Sequence, residues 1–189
     1  MERLRSLILT EGRVLEGGAL LVDSFLNHRV DAALIRDIGA AFAGHFRVRK
    51  YELVVTVESS GIAPAVMTAL AMGLPLLICK KSASRVMNGE VSQTPVRSFT
   101  KGDTYMMTLK SSYIPDGSRV LLIDDFLASG DSAMGVRELV RLAGAELTGA
   151  GFVIEKTFQG GRIPLEDAGC DVFALARISA LEPEISFTD

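Results

Sequence analysis

Two apolar rhythms alternate along this chain, one at helical spacing and one as short continuous runs of strand character. Leu4, Leu7 and Ile8 recur at helical spacing, which predicts an amphipathic helix from Glu2 to Glu11 that Gly12 ends. Ala19 to Val22 is a short apolar run, predicted as a strand. Asp31 stands where a helix cap belongs, and Leu34, Ile35, Ile38 and Phe42 share one face of the helix it opens, which runs to about Phe46. Leu53 to Val57 is predicted as the first central strand.

From Ser59 to Cys79 no residue is charged, a stretch long enough to suggest a membrane span. Pro64 and the break at Gly73, Leu74 and Pro75 divide it instead. The prediction is a loop at Glu58 to Gly61, a buried helix from about Ile62 to Met72 and a buried strand from Leu76 to Cys79. With the strand at Leu53 these form a βαβ unit, for which a right-handed crossover is expected.

An irregular stretch, Ser82 to Pro95, follows, with candidate strands at Val96 to Phe99 and Tyr105 to Leu109. Beyond it lie a strand from Val120, a helix from Ser132 to Leu142, and strands at Leu147 to Ile154 and Val172 to Ile178. Strand and helix alternate, with no repeat, low-complexity segment or linker. The expectation is one α/β domain over residues 1–189, with a mostly parallel sheet flanked by helices.

Composition narrows the function classes. The 189 residues are 48% hydrophobic and carry a net charge of -3, with a pI near 5.5. That balance argues against a nucleic-acid or anionic-membrane partner, so an anionic ligand would need a local site. Cys79 and Cys170 lack CxxC spacing, and His28 and His45 form no metal-ligand pattern; a cytoplasmic protein is expected. Met1 to Gly12 mixes acidic and basic residues among its leucines, unlike a signal peptide.

The strongest chemical signal is VLLIDDFLASGDSA, Val120 to Ala133. An apolar strand delivers Asp124 and Asp125 to the carboxyl edge of the sheet, where open α/β folds place their ligands. The loop Ala128, Ser129, Gly130, Asp131 and Ser132 then meets a helix N-terminus, whose free N–H groups and dipole attract a dianion. Small residues let backbone donors approach a phosphate, and hydroxyls add donors. This order of parts suits a ribose 5-phosphate. Asp131 departs from the pattern, because a carboxylate inside a phosphate loop is unfavourable unless it points away.

That string resembles the 5-phosphoribosyl-1-diphosphate (PRPP) binding motif of the type I phosphoribosyltransferases. Glu58, Ser59, Ser60 and Gly61, between a strand and a helix, are similar to the family's pyrophosphate loop. Lys80, Lys81, Arg85, Arg97 and Lys101 outnumber Glu90 and Asp103 around the irregular stretch. With Ser98, Phe99, Thr100 and Lys101 this region resembles the family's flap, which excludes water from the activated sugar. Lys81, Ser98, Thr100 and Lys101 are the flap residues so assigned.

DSFLNH (Asp23 to His28), ESSGIAPAVMT (Glu58 to Thr68), SFTK (Ser98 to Lys101), IDDFLA (Ile123 to Ala128), VIEK (Val153 to Lys156) and LARI (Leu175 to Ile178) together resemble the xanthine-specific branch of that family in bacteria. The resemblance implies a hood built from the N-terminal and C-terminal segments, transfer of the phosphoribosyl group from PRPP to N9 of xanthine, and a homodimer. It also implies Mg2+ carried by PRPP rather than by a protein metal cage. The xanthine pocket it implies comprises Leu20, Asn27, Phe126 and Lys156. Lys156 suits O6 of an oxopurine, Asn27 can read the edge near O2, and Phe126 can cover the ring face. Asp124 and Asp125 would hold the ribose hydroxyls and stabilise charge at C1. Guanine or hypoxanthine as acceptor, and a non-catalytic PRPP-sensing regulator, are the alternatives.

Overall fold

A computed structural model describes residues 1–81, 91–97 and 103–188. Its elements in chain order are α1 (Glu2–Glu11), β1 (Arg13–Leu15), β2 (Ala19–Leu21), α2 (Ala32–Phe46), β3 (Leu53–Val57), α3 (Ile62–Met72), β4 (Leu76–Cys79), β5 (Ser92–Arg97), β6 (Thr104–Leu109), β7 (Arg119–Leu127), α4 (Asp131–Leu142), β8 (Glu146–Lys156), α5 (Arg162–Asp167), β9 (Asp171–Ala180) and β10 (Ser186–Thr188). Among the described residues, six strands form the central sheet in the order β10-β9-β8-β7-β3-β4. Every pairing is parallel except that of β10 with β9.

The alternation of side chains along the central strands builds two cores. Val54, Leu121, Ile123 and Ile154 face α2 and α3 and pack with Ile38, Phe42 and Phe46. Val55, Leu122 and Phe152 face the other way, against Val136, Leu139 and Val140 of α4. Fully burying each such side chain is worth about 1.5–3 kcal/mol. Because both faces are covered, the carboxyl edge of the strands remains for chemistry.

Several boundaries differ from the sequence expectation, each for a tertiary reason. β7 does not stop at the two carboxylates but runs to Leu127, because β8 continues beside it and pairs Phe126 with Ile154 and Leu127 with Glu155. β8 likewise extends to Lys156, and α4 begins one residue early, at Asp131, with Gly130 as its cap at φ +88°. Part of the expected irregular stretch is strand: Ser92–Arg97 pairs antiparallel with β6 in a two-stranded arm, with Pro95 opposite Met106. A two-stranded ladder tolerates proline because one of its edges needs no donor. The arm is fixed to the sheet by reciprocal Lys80 and Thr108 backbone bonds, each 2.8 Å. Residues 82–90 and 98–102 lie outside the described set.

β1, α5 and β10 are not anticipated by the apolar pattern, since each is too short to show a period. β1 pairs antiparallel with β2. The hood joins both ends of the chain: the amino group of Met1 donates to the Leu175 carbonyl at 3.2 Å, and Arg5 lies 5.3 Å over the Phe187 ring. No helix among the described residues is long and apolar enough to cross a membrane.

Candidate functional site

At the carboxyl edge of β3, β7 and β8 a cavity of about 570 Å3 opens, roofed by the β1–β2 hairpin and the foot of the arm. Asp124, Asp125 and Phe126 from β7, Lys156 from β8, and Leu20 and Asn27 from the hood all line it. Glu58, Ser59, Ser60, Lys81, Ala128 and Ser132 complete the wall of expected residues. Leu20 and Lys156, 136 positions apart, are thereby brought to one chamber. Ser98, Thr100 and Lys101 lie outside the described residues.

Asp124 is 7% exposed, and Asp125 follows it on the same strand. Burial, reinforced by the charge of Asp125, holds Asp124 well above the ordinary carboxylate range, and burial raises Asp125 as well. The Asp125 N–H donates to Asp124 Oδ1, and the Phe126 N–H to Asp125 Oδ1, each at 3.0 Å. One oxygen of each carboxylate is thus fixed by backbone. The pair is a reservoir of poorly compensated negative charge, suited to a ligand that brings positive charge or hydroxyl donors.

Gly61 does not line the cavity. A Cβ there would stand 2.2 Å from Asp124 Oδ1 and 2.4 Å from Thr56 Oγ1, so glycine is required for α3 to approach the acidic strand. Glu58 also acts through neighbours: it accepts the Lys81 N–H at 2.6 Å and pairs with the Lys80 ammonium at 3.1 Å. Burial would raise this carboxyl, but those two partners hold it below its usual value. Glu58 therefore ties the end of β3 to the end of β4 and presents Lys81 to the cavity.

Of the expected phosphate loop, Ala128 and Ser132 line the cavity, whereas Ser129, Gly130 and Asp131 do not. Asp131 is exposed and accepts the Ser129 hydroxyl. Its carboxylate points away from the ligand space, the condition under which an acidic residue is tolerable there, and as the first residue of α4 it complements the helix dipole. The loop rests on a turn at Gly160 and Gly161 that carries no local chemical signal in the sequence. Gly161 N–H donates to the Ala128 carbonyl at 3.0 Å, and a Cβ on Gly161 would lie 2.3 Å from that oxygen and 2.6 Å from Gly130 N. The turn itself is locked by Arg162, whose guanidinium makes 2.8 and 2.6 Å bonds to buried Glu155. Gly161→Ala is expected to displace the loop and to raise KM for a phosphorylated sugar at least about tenfold, a loss near 1.4 kcal/mol. Steady-state kinetics against that substrate, with a thermal melt to verify folding, checks it.

Lys156 is only 6% exposed. Its Nζ donates to the Gly18 carbonyl at 2.9 Å and lies 5.8 Å from the Phe126 ring centroid. Burial lowers its pKa. No carboxylate of the described residues pairs with it, so it is a buried cation facing a cavity. Asp103 and Tyr105, at the foot of the arm, also line the chamber and were not anticipated. In the sequence Asp103 stands out only as a charge at the margin of the flap-like stretch and Tyr105 only as the start of a strand; the Lys80 to Thr108 bridge ties that strand to the sheet beside the site. Phe158, half exposed, lines a separate cleft with Gly17, Gly18 and Leu181.

A sheet of this order, two loops at its carboxyl edge and an acidic pair between them define a phosphoribosyltransferase. The profile of the phosphoribosyl transferase domain matches residues 28–167, and the chain belongs to that family. It is 54% identical over 182 residues to xanthine phosphoribosyltransferase 1 of Clostridium botulinum strain Hall, covering 96% of both chains. It is 50% identical over 185 residues to the xanthine phosphoribosyltransferase of Clostridium acetobutylicum, covering 98% of both. The fold is shared with the adenine phosphoribosyltransferase of Giardia lamblia, solved with 9-deazaadenine, at a TM-score of 0.79 and 15% identity, over 94% of this chain and 98% of that one.

Proposed function

We propose that this protein transfers the 5-phosphoribosyl group from PRPP to N9 of xanthine, giving xanthosine 5'-monophosphate and pyrophosphate. The observation that carries the reading is Lys156, a buried ammonium with no carboxylate partner among the described residues, lining a chamber with Phe126 and Asn27. A cation in that position favours a base with a carbonyl at position 6 and stabilises its anion. The near-full-length similarity to two xanthine phosphoribosyltransferases supports the same acceptor. Adenine presents an amine at position 6, which an ammonium cannot serve as acceptor.

In this reading the purine lies between Phe126 and the hood, with Leu20 supplying apolar contact and Asn27 offering an amide to the edge near O2. As pyrophosphate leaves, positive charge grows on the sugar ring at C1. Asp124 and Asp125 lie on the strand beneath, and their charge stabilises that state while their outer oxygens hold the ribose hydroxyls. Ser59, Ser60 and Lys81 take the pyrophosphate side, and Ala128 with Ser132 the 5-phosphate side.

The hard-oxygen pair Asp124 and Asp125 suits a Mg2+ ion carried by PRPP, acting through the ribose hydroxyls that the pair's outer oxygens hold. No group of three or more His, Cys, Asp or Glu among the described residues is arranged to hold a metal. An ion that arrives on substrate phosphates and borrows few protein ligands suits this donor set, and when bound it neutralises the departing pyrophosphate. A homodimer is supported by Val66 and Leu70, an exposed apolar pair one helical turn apart on α3; light scattering at twice the 20.3 kDa protomer mass tests it. A cytoplasmic location is supported by the buried free thiols of Cys79 and Cys170.

The deciding experiment is a competition assay with PRPP, Mg2+ and xanthine, guanine, hypoxanthine and adenine, following pyrophosphate release. Xanthine is expected to have the highest kcat/KM. A higher value for guanine would overturn the acceptor assignment, and no release with any base would overturn the reaction.

A further inference from the structure

Beyond its backbone N–H groups, the 5-phosphate loop of this chain is short of side-chain donors. Ser129 would ordinarily offer its hydroxyl to a bound phosphate, but that hydroxyl is held by the Asp131 carboxylate, and both residues lie off the cavity wall. Gly130 offers no side chain. Only Ser132 remains on the loop to give a hydroxyl. Opposite it stands Tyr105, brought from β6, where its register partner is Val96. The phenol interacts with the Ser132 side chain and feels the charges of Asp124 and Asp131. Tyr105 and Ser132 thus line one cavity with Asp124 and Ala128, on the side assigned above to the 5-phosphate.

We infer that Tyr105 is a binding residue of the 5-phosphate subsite, its hydroxyl supplying the donor that Asp131 withdraws from the loop by engaging Ser129. The inference rests on the phosphoribosyl-transfer reading above. Burial raises the phenol pKa from its ordinary value, which favours the neutral hydroxyl, and a neutral O–H donates to a dianion without adding charge. A ring on a strand anchored by the Lys80 to Thr108 bridge loses little conformational freedom on binding, since a tyrosine has few rotatable bonds. The alternative is a ring that serves only as packing against the cluster around Cys79 and Leu122.

Tyr105→Phe separates the two, because it keeps the packing and removes the donor. It is expected to leave the melting temperature and KM for xanthine unchanged and to raise KM for PRPP about ten- to a hundredfold, the loss of a hydrogen bond to a charged group. By titration calorimetry, ribose 5-phosphate affinity falls by the same factor and pyrophosphate affinity does not change. Adding Asp131→Asn, which weakens the hold on the Ser129 hydroxyl, is expected to restore part of the loss. Unchanged ribose 5-phosphate affinity in Tyr105→Phe, or an equal loss for pyrophosphate, overturns the inference. Failure of the unaltered protein to bind either ligand would sink the transfer reading itself, and the inference with it.

Discussion

Asp125→Ala and Asp124→Ala are each expected to lower kcat/KM about a hundred- to a thousandfold with every purine base, the range seen when one preorganised electrostatic stabiliser is removed. The loss should be the same in kind for xanthine, guanine and hypoxanthine, because the carboxylates act on the sugar and not on the base. A loss confined to one base would contradict that division. The same pair leaves a signature in stability. Both carboxyls titrate above their ordinary value of 3.8 in the folded protein, from burial and, for Asp124, the adjoining charge. A raised folded pKa means that the contribution to stability is complete below the unfolded value and is lost as pH rises through the folded one. Asp124→Asn, which retains the acceptor for the Asp125 N–H, should therefore melt above the parent protein at pH 7. Each 1 kcal/mol relieved shifts Tm by about 2–4 °C for a chain of this size. The difference should shrink as pH falls toward 4, and calorimetric scans across that interval measure it. The acidic pair would then be a cost in folding that is recovered when substrate binds.

Lys156→Ala is expected to raise KM for xanthine about ten- to a hundredfold, as for a charge-assisted hydrogen bond, while PRPP binding changes little. An equal loss of PRPP affinity would show that Lys156 holds the site together rather than reading the base. Lys156→Met separates charge from volume. Burial lowers the folded pKa of Lys156, so below that value the folded state carries an ammonium it solvates poorly. The methionine variant should accordingly have a higher Tm at pH 7 and still fail with xanthine, a trade of stability against function. As the pH rises toward the lysine's own titration, the difference in Tm should diminish.

Much of the site was legible before any coordinates. The acidic pair, the loop after it and the tetrapeptide at Glu58 announce themselves because each combines an apolar strand with polar residues at its end, a local pattern. Leu20, Asn27 and Lys156 were legible only through resemblance, since an isolated asparagine or lysine has no local meaning. Tyr105, Asp103 and Gly161 were not legible as residues of the site. Tyr105 reaches the chamber through a backbone bridge between Lys80 and Thr108, and Gly161 matters because its carbon would collide with the Ala128 carbonyl. Both are facts of distance between segments remote in sequence. Glu58, expected in the pyrophosphate loop, lines the cavity and also ties Lys80 and Lys81 to the end of β3.

The sequence by itself determined the α/β alternation, the parallel sheet and the carboxylates at its edge, because hydrophobic period and strand-end composition are local and survive without neighbours. Tertiary structure decided how far β7 and β8 run, which face of Asp131 meets solvent, and that a buried lysine has a carbonyl rather than a carboxylate beside it. Those outcomes depend on pairing partners and on desolvation, which exist only once the chain has folded.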